Sequence, residues 1–178
     1  MARGPGGLPS ATPGWRPRVP AWAGYGACAW ALLFAGVHFY WALGGTAGVE
    51  TIGPAVTDLA GDPWFVAIGL WGVGAVLLIL AVLMVAIVRS WHLPGPGWMR
   101  LLAVGGAGAL FALYGGALLV QHGLMAAGVI AVPEGLGERA LRWHLGLWDP
   151  WWLLGGVLFS LAAWCAHRSA RDRRAMVG

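Results

Sequence analysis

The sequence predicts an all-α integral membrane protein, a four-helix bundle assembled from two parallel helical-hairpin repeats. Three observations lead there: an apolar composition, four long apolar runs, and two similar stretches, "GDPWFVAIGLWG" from Gly61 and "WDPWWLLGGVLF" from Trp148. Of 178 residues, 59% are hydrophobic and 10% charged, with a mean hydropathy of +0.71. A soluble domain carries about 25% charged residues to face water. This chain lacks the polar surface to cover a globule, so lipid is its expected solvent.

The formal charge of +4 does not point to nucleic acid, because the basic residues sit in short segments flanking the apolar runs. Cys28 and Cys165 lie far apart within apolar runs, without metal-ligand or redox spacing. They read as buried, inert thiols. No cofactor and no metal is expected from the sequence.

Residues 1–20, rich in Pro and Gly with three arginines, read as a disordered basic cytoplasmic tail. The following run is too long and too aromatic for a cleaved signal, so it reads as a retained anchor. The transmembrane domain is expected over 21–168, with spans at about 22–45, 64–88, 98–130 and 151–167, followed by a basic cytoplasmic tail at 169–178. A helix needs about 20 apolar residues to cross the hydrocarbon. The third run exceeds that, which suggests tilt or a break near Gly105-Gly106 or Gly115-Gly116.

Arginines set the orientation. Arg3, Arg16, Arg18, Arg89, Arg100, Arg168, Arg171, Arg173 and Arg174 fall on one side, and only Arg139 and Arg142 on the other. Both termini are therefore expected in the cytoplasm of a cell that carries the protein in its plasma membrane. Six of the seven acids fall on the opposite side.

Aligning the halves on Asp-Pro-Trp also aligns "HFYWALG" from His38 with "HGLMAAG" from His122. Each half reads His, a helix end, an outer loop, then Asp-Pro-Trp and a helix. This suggests a duplicated hairpin with both copies pointing the same way.

Asp62 and Asp149 suit a plain structural role as N-caps, with Pro in the first helical position. A carboxylate serving as acid, base or ligand is the sharper reading. His38 and His122 lie about 10–13 Å inward from the outer helix ends, where an ionisable side chain is costly and usually faces the bundle interior. An imidazole hydrogen-bonded between helices is the plain reading; a shared polar site is the alternative. His38, Trp41, Trp30 and Phe34 form one stripe on the first helix; Tyr114, Leu118 and His122, with Gln121 adjacent, form another. Tyr40 and Trp151 stand near the same outer boundary.

Most of the 13 tryptophans gather at the two membrane interfaces. Trp30 and Trp71 fall deeper and are the candidates for lining a cavity. The outer loop "EGLGERALRWHLGLW" places Leu136, Ala140, Trp143 and Leu147 on one stripe, which suggests a short amphipathic lid on the interface. His144 lies there, beside Asp149, either completing a site or facing water. The paired glycines read as helix-packing positions.

At "AWALLFAGVHFYWALGG" and "RWHLGLWDPWWLLGG" the chain resembles a family of small bacterial four-span membrane proteins known only as a domain of unknown function. The resemblance covers most of residues 20–168 and implies membrane location and four helices, but no activity. A fainter similarity, in helix count and aromatic-plus-acid character, is to membrane-embedded sterol isomerases and terpene cyclases. No catalytic residue carries over from those.

Three functional readings follow. The first is a membrane module that binds a lipid or small apolar ligand in the outer leaflet. The second is an intramembrane isomerase or cyclase acting on an isoprenoid or lipid. There Asp62 or Asp149 protonates, His38 or His122 takes up a proton and the tryptophans stabilise positive charge inside a closed apolar cavity. The third is bis-imidazole haem binding through His38 and His122. A transporter fits less well, since no acid falls inside a span.

Overall fold

The computed structural model describes residues 21–91, 94–133 and 135–177. The expected N-terminal tail, with Arg3, Arg16 and Arg18, and Glu134 lie outside the described residues. All regular structure among the described residues is helical.

Helix α1 spans Ala21–Ala42 and a short α2 spans Pro54–Leu59. Helix α3, Phe65–Val88, opens with a π-helical segment, Phe65–Gly72, and continues as an α-helix. Helix α4 runs Gly97–Ala126. Helix α5, Gly137–Trp143, passes through a second π-helical segment, His144–Trp148, directly into α6, Asp149–Val177. Three of these stretches, Phe65–Val88, Gly97–Ala126 and Gly137–Asp172, are long and apolar enough to span a membrane. Much of their outward surface is bare hydrocarbon, including Ile68, Ile79, Leu102, Leu110 and Leu113.

Helices α1 and α4 end in the same way. In α1 the Gly45 N–H donates to the Tyr40 carbonyl at 2.9 Å and the Gly44 N–H to Trp41 at 3.0 Å, with Gly44 at φ 93°. In α4 the Val129 N–H donates to Leu124 at 2.9 Å and the Gly128 N–H to Met125 at 3.0 Å, with Gly128 at φ 73°. Both are Schellman closures, which need a left-handed residue that glycine adopts without strain. Gly128 therefore ends the third long helix at 126, short of the expected 130, and α4 runs unbroken past both glycine pairs.

The outer segment before α6 also departs from expectation. It is no separate lid; α5 runs on into α6. Pro150 explains how. Inside an α-helix it lacks the N–H that would reach the Gly146 carbonyl, and its ring clashes there. The π-helical widening just before it relieves that conflict, with the Asp149 N–H donating five residues back to the His144 carbonyl.

The long helices pack chiefly as two pairs, α1 with α3 and α4 with α6, and α1 meets α6 between the pairs. The α4–α6 contact is backbone to backbone. A Cβ on Gly108 would lie 2.6 Å from the Ser160 nitrogen, and one on Gly115 would lie 2.5 Å from the Leu153 nitrogen and 3.0 Å from the Asp149 carbonyl oxygen. Small residues permit this approach where lipid supplies no hydrophobic drive between helices.

Where α1 meets this pair the interior is aromatic. Trp30 is almost fully buried, with its ring 5.3 Å from both Phe34 and Phe111 and 5.9–6.1 Å from Trp151, Trp152 and Phe159. Its indole N–H donates to the Trp151 carbonyl at 2.8 Å.

Candidate functional site

The π-helical turn creates the most polar buried place in the bundle. In an α-helix, residues five apart point about 140° away from each other. The π register brings His144 and Asp149 together instead, and His144 Nδ1 lies 3.0 Å from Asp149 Oδ1. From α4, His122 Nδ1 reaches the other carboxylate oxygen, Oδ2, at 2.6 Å. The two imidazole rings stand 4.6 Å apart, centroid to centroid. Asp149 is fully buried, His122 nearly so, and His144 is mostly buried. A buried charge survives only when paired and hydrogen-bonded, and here both oxygens are engaged.

The segment between α1 and α2 closes over this centre. The His144 Nε2–H donates to the Ile52 carbonyl at 2.9 Å, and the Trp148 indole N–H donates to Thr51 Oγ1 at 3.1 Å. Thr51 Oγ1–H in turn donates to the Gly48 carbonyl at 2.5 Å. An exposed ion pair, Arg139 to Glu50 at 3.2 Å, adds little, since such pairs contribute about 0–1 kcal/mol. The loops following α1 and α4 therefore meet at one end of the bundle.

Proton bookkeeping constrains the centre. A carbonyl only accepts, so His144 Nε2 carries hydrogen toward Ile52. In a neutral ring, His144 Nδ1 then presents a lone pair to Asp149 Oδ1, which also presents lone pairs. A 3.0 Å contact between imidazole nitrogen and carboxylate oxygen therefore needs one hydrogen between them, carried by one partner or the other.

The expected site residues are distributed as follows. His122, Asp149 and His144 converge. His38 does not join them: the group of ligating side chains within 4.8 Å of one another is His122, His144 and Asp149. The His38 Nδ1–H donates to the Phe34 carbonyl one turn back at 2.8 Å, and its ring sits among Phe34 and Trp41. Asp62 is exposed and caps the start of α3, accepting the Phe65 N–H at 2.8 Å. Asp149 lies within a continuous helix and is no cap.

Trp41 is buried and donates to the Ala47 carbonyl at 2.9 Å, while the exposed Tyr40 hydroxyl accepts the Ala47 N–H at 3.3 Å. Trp151 is half-buried against Trp30. Trp71 is exposed, its ring 5.4 Å from Phe39; the π-helical register of Phe65–Gly72 places it on the outward face instead of in a cavity. Tyr114 is also exposed, edge-on to Trp152 at 5.2 Å. Gln121 is exposed and lines an open apolar groove of about 560 Å³ on the outward face of α4, with Ala112, Leu113, Gly116, Ala117, Val120, Leu124 and Ile130. A second, shallow cleft of about 450 Å³ is lined by Arg139, Arg142, Trp143 and Gly146.

Thr51, Ile52 and Trp148 are the participants that sequence reasoning missed. Ile52 acts through a backbone carbonyl, which leaves no mark on the sequence. Trp148 stood in the W-D-P-W element but was counted among the interfacial tryptophans.

The model of a family described as a protein of unknown function (DUF3995) matches residues 31–159, which is 129 of the 178 residues. No curated protein matches the chain, and no solved structure does.

Proposed function

The chain belongs to the DUF3995 family, and we propose that it is a four-span membrane protein that binds a lipid-like ligand at the outer-leaflet end of its second hairpin. In this reading α1 is the remaining span; its 22 residues suffice, and its Trp, Tyr and His residues dilute its hydropathy. Both termini are cytoplasmic, as the nine-to-two division of arginines favours. The pairing of α1 with α3 and α4 with α6, and the matching closures six residues beyond His38 and His122, support a duplicated hairpin. After duplication the two aspartates diverged, one remaining a surface cap and the other becoming a buried centre.

The observation that carries the reading is the groove on α4. It is apolar along its length, opens outward toward the expected lipid, and includes the amide of Gln121, next in sequence to His122. An acyl or isoprenoid chain fits along Leu113, Ala117, Val120 and Leu124, with its polar end near Gln121. The test is mass spectrometry of lipids that co-purify with the protein in mild detergent. A Cβ on Gly116 meets nothing within 4 Å, so Gly116→Leu fills the groove without disturbing the α4–α6 contact. The expected result is an enriched lipid species that Gly116→Leu loses. Lipids that match the bulk membrane and ignore the substitution would reject the reading.

A second reading, an intramembrane enzyme acting on a lipid or isoprenoid, is favoured by the fully buried carboxylate between two imidazoles. It narrows the acting residues to His122, His144 and Asp149, because Asp62 is committed to its cap. The closed cavity expected for it is not supported, since aromatic side chains fill the interior around Trp30. That same filling, and the separate setting of His38, weigh against haem between His38 and His122.

A further inference from the structure

The π-helical turn and α4 bring two imidazoles and one carboxylate together at one buried point. We propose that His122, His144 and Asp149 form a binding site for one Zn²⁺ ion, held by two imidazole Nδ1 atoms and a carboxylate oxygen, with one coordination position open. This goes beyond the lipid-binding reading and does not depend on which lipid, if any, occupies the α4 groove.

Four observations carry it. First, the donor set is two imidazoles and one carboxylate, and three protein ligands of this kind with a free fourth position are the pattern of zinc sites that bind or activate a small molecule. Second, the ligating atoms already converge. The His–carboxylate pairs stand at 2.6 and 3.0 Å, and all three atoms lie within 4.8 Å of one another. Tetrahedral ligands at about 2.0–2.1 Å from a zinc ion stand about 3.3–3.4 Å apart. The two hydrogen-bonded pairs therefore open by less than about 1 Å and the widest separation closes by up to about 1.4 Å, which side-chain rotation supplies.

Third, the supporting contacts are those that metal-bound histidines make. His144 donates its other ring N–H to the Ile52 carbonyl, which fixes the ring and directs Nδ1 inward. Fourth, the charge balance fits. A carboxylate and two neutral imidazoles give −1, so a divalent ion leaves +1, which a hydroxide or an anionic ligand in the open position neutralises. Zinc displaces the hydrogen between His144 and Asp149 to solvent, and the Nδ1 hydrogen of His122 moves to its Nε2, so both imidazoles stay neutral.

The backbone holds the ligands where the ion needs them. His144 and Asp149 flank the π-helical turn, and the close approach of Gly115 to the Asp149 carbonyl keeps α4, with His122, against α6. A regular α-helix over 144–149 would send His144 away from the other two.

The test uses the full-length chain, purified through a tag without histidine, stripped with a chelator and then given Zn²⁺ alone or Co²⁺ alone. Metal analysis should find one Zn²⁺ per chain. Co²⁺ should give the intense visible absorption of a low-coordinate nitrogen–oxygen site, abolished by added Zn²⁺. His122→Gln and His144→Gln should weaken binding by about 100-fold or more, and His38→Gln should leave it unchanged. Wild-type protein that binds no Zn²⁺ and gives no Co²⁺ spectrum overturns the proposal. Equal binding by wild type and both centre variants also overturns it. Should the variants fail to fold, the wild-type stoichiometry and Co²⁺ spectrum decide alone.

Discussion

Asp149 Oδ2 and His122 Nδ1 stand 2.6 Å apart, although 27 residues of chain separate them and the two side chains come from different helices. The contact fixes α6 against α4 and consumes one oxygen of a carboxylate that has no exposure at all. Asp62, in the other Asp-Pro-Trp stretch, is exposed and accepts a single backbone N–H. Two aspartates in the same Asp-Pro-Trp setting thus have different energetic roles.

The substitution pair Asp149→Ala and Asp62→Ala measures that difference. Removing one partner of a buried pair costs roughly 3–5 kcal/mol, and removing an N-cap about 1 kcal/mol. Unfolding in mixed micelles should show Asp149→Ala severely destabilised and Asp62→Ala only slightly. Equal losses would mean that the burial of Asp149 carries no special weight.

The neighbouring glycines of α4 give a second contrast. A Cβ at Gly115 would lie 2.5 Å from the Leu153 nitrogen, an approach that only movement of α6 can relieve. At Gly116 the same atom meets nothing within 4 Å. Gly115→Ala should therefore destabilise the protein by about 1–3 kcal/mol, the range for overpacking a tight contact, and shift the imidazole resonances of His122. Gly116→Ala should be neutral or slightly stabilising, as Ala is the better helix former. Unfolding midpoints together with histidine NMR separate the two outcomes.

How much of this was legible from residues alone differs by feature. Long apolar helices were legible because composition and run length are local quantities, and the Asp62 cap followed from Asp before Pro at a helix start. The end of α4 carried a readable signal in Ala126-Ala127-Gly128, since a glycine after a helical run favours a left-handed stop. His122, Asp149 and His144 were each recognisable as unusual, but their grouping was not. A 3.6-residue period places His144 and Asp149 on different sides, and only the π-helical turn imposed by Pro150 unites them. His38 is absent from that triad and finds its acceptor one turn back on its own helix. The Ile52 carbonyl, being backbone, could not be read from any side-chain pattern.

Trp30 provides a test of the aromatic interior. Its ring touches five others and its N–H reaches the Trp151 carbonyl at 2.8 Å. Trp30→Phe removes that hydrogen bond, at about 1 kcal/mol, plus some packing. Trp30→Ala opens a large void, at roughly 3–5 kcal/mol. The expected order of stability is wild type, then Phe, then Ala. A Trp30→Ala protein as stable as wild type would mean that the α1–α6 contact contributes nothing.

The clamp over the centre yields a last prediction, this one about motion. Among the described residues, Trp148 N–H to Thr51 and His144 N–H to Ile52 are the half-buried bonds holding the loop after α1 to the π-helical turn before α6. The Trp148 ring also lies 5.9 Å from Trp41, so replacement by Phe keeps most of the aromatic packing and removes only the donor. Trp148→Phe should speed amide exchange at Thr51 and Ile52, whose N–H groups bond Gly48 and Val49 within the loop, and leave exchange in the middle of α4 unchanged. Local opening of that kind requires only the free energy of the lost contact, far below that of global unfolding. Hydrogen exchange in detergent or nanodiscs reads both regions in one experiment. Faster exchange throughout α4 as well would mean that the outer loop and the bundle unfold as a single unit, and that the clamp is part of the core.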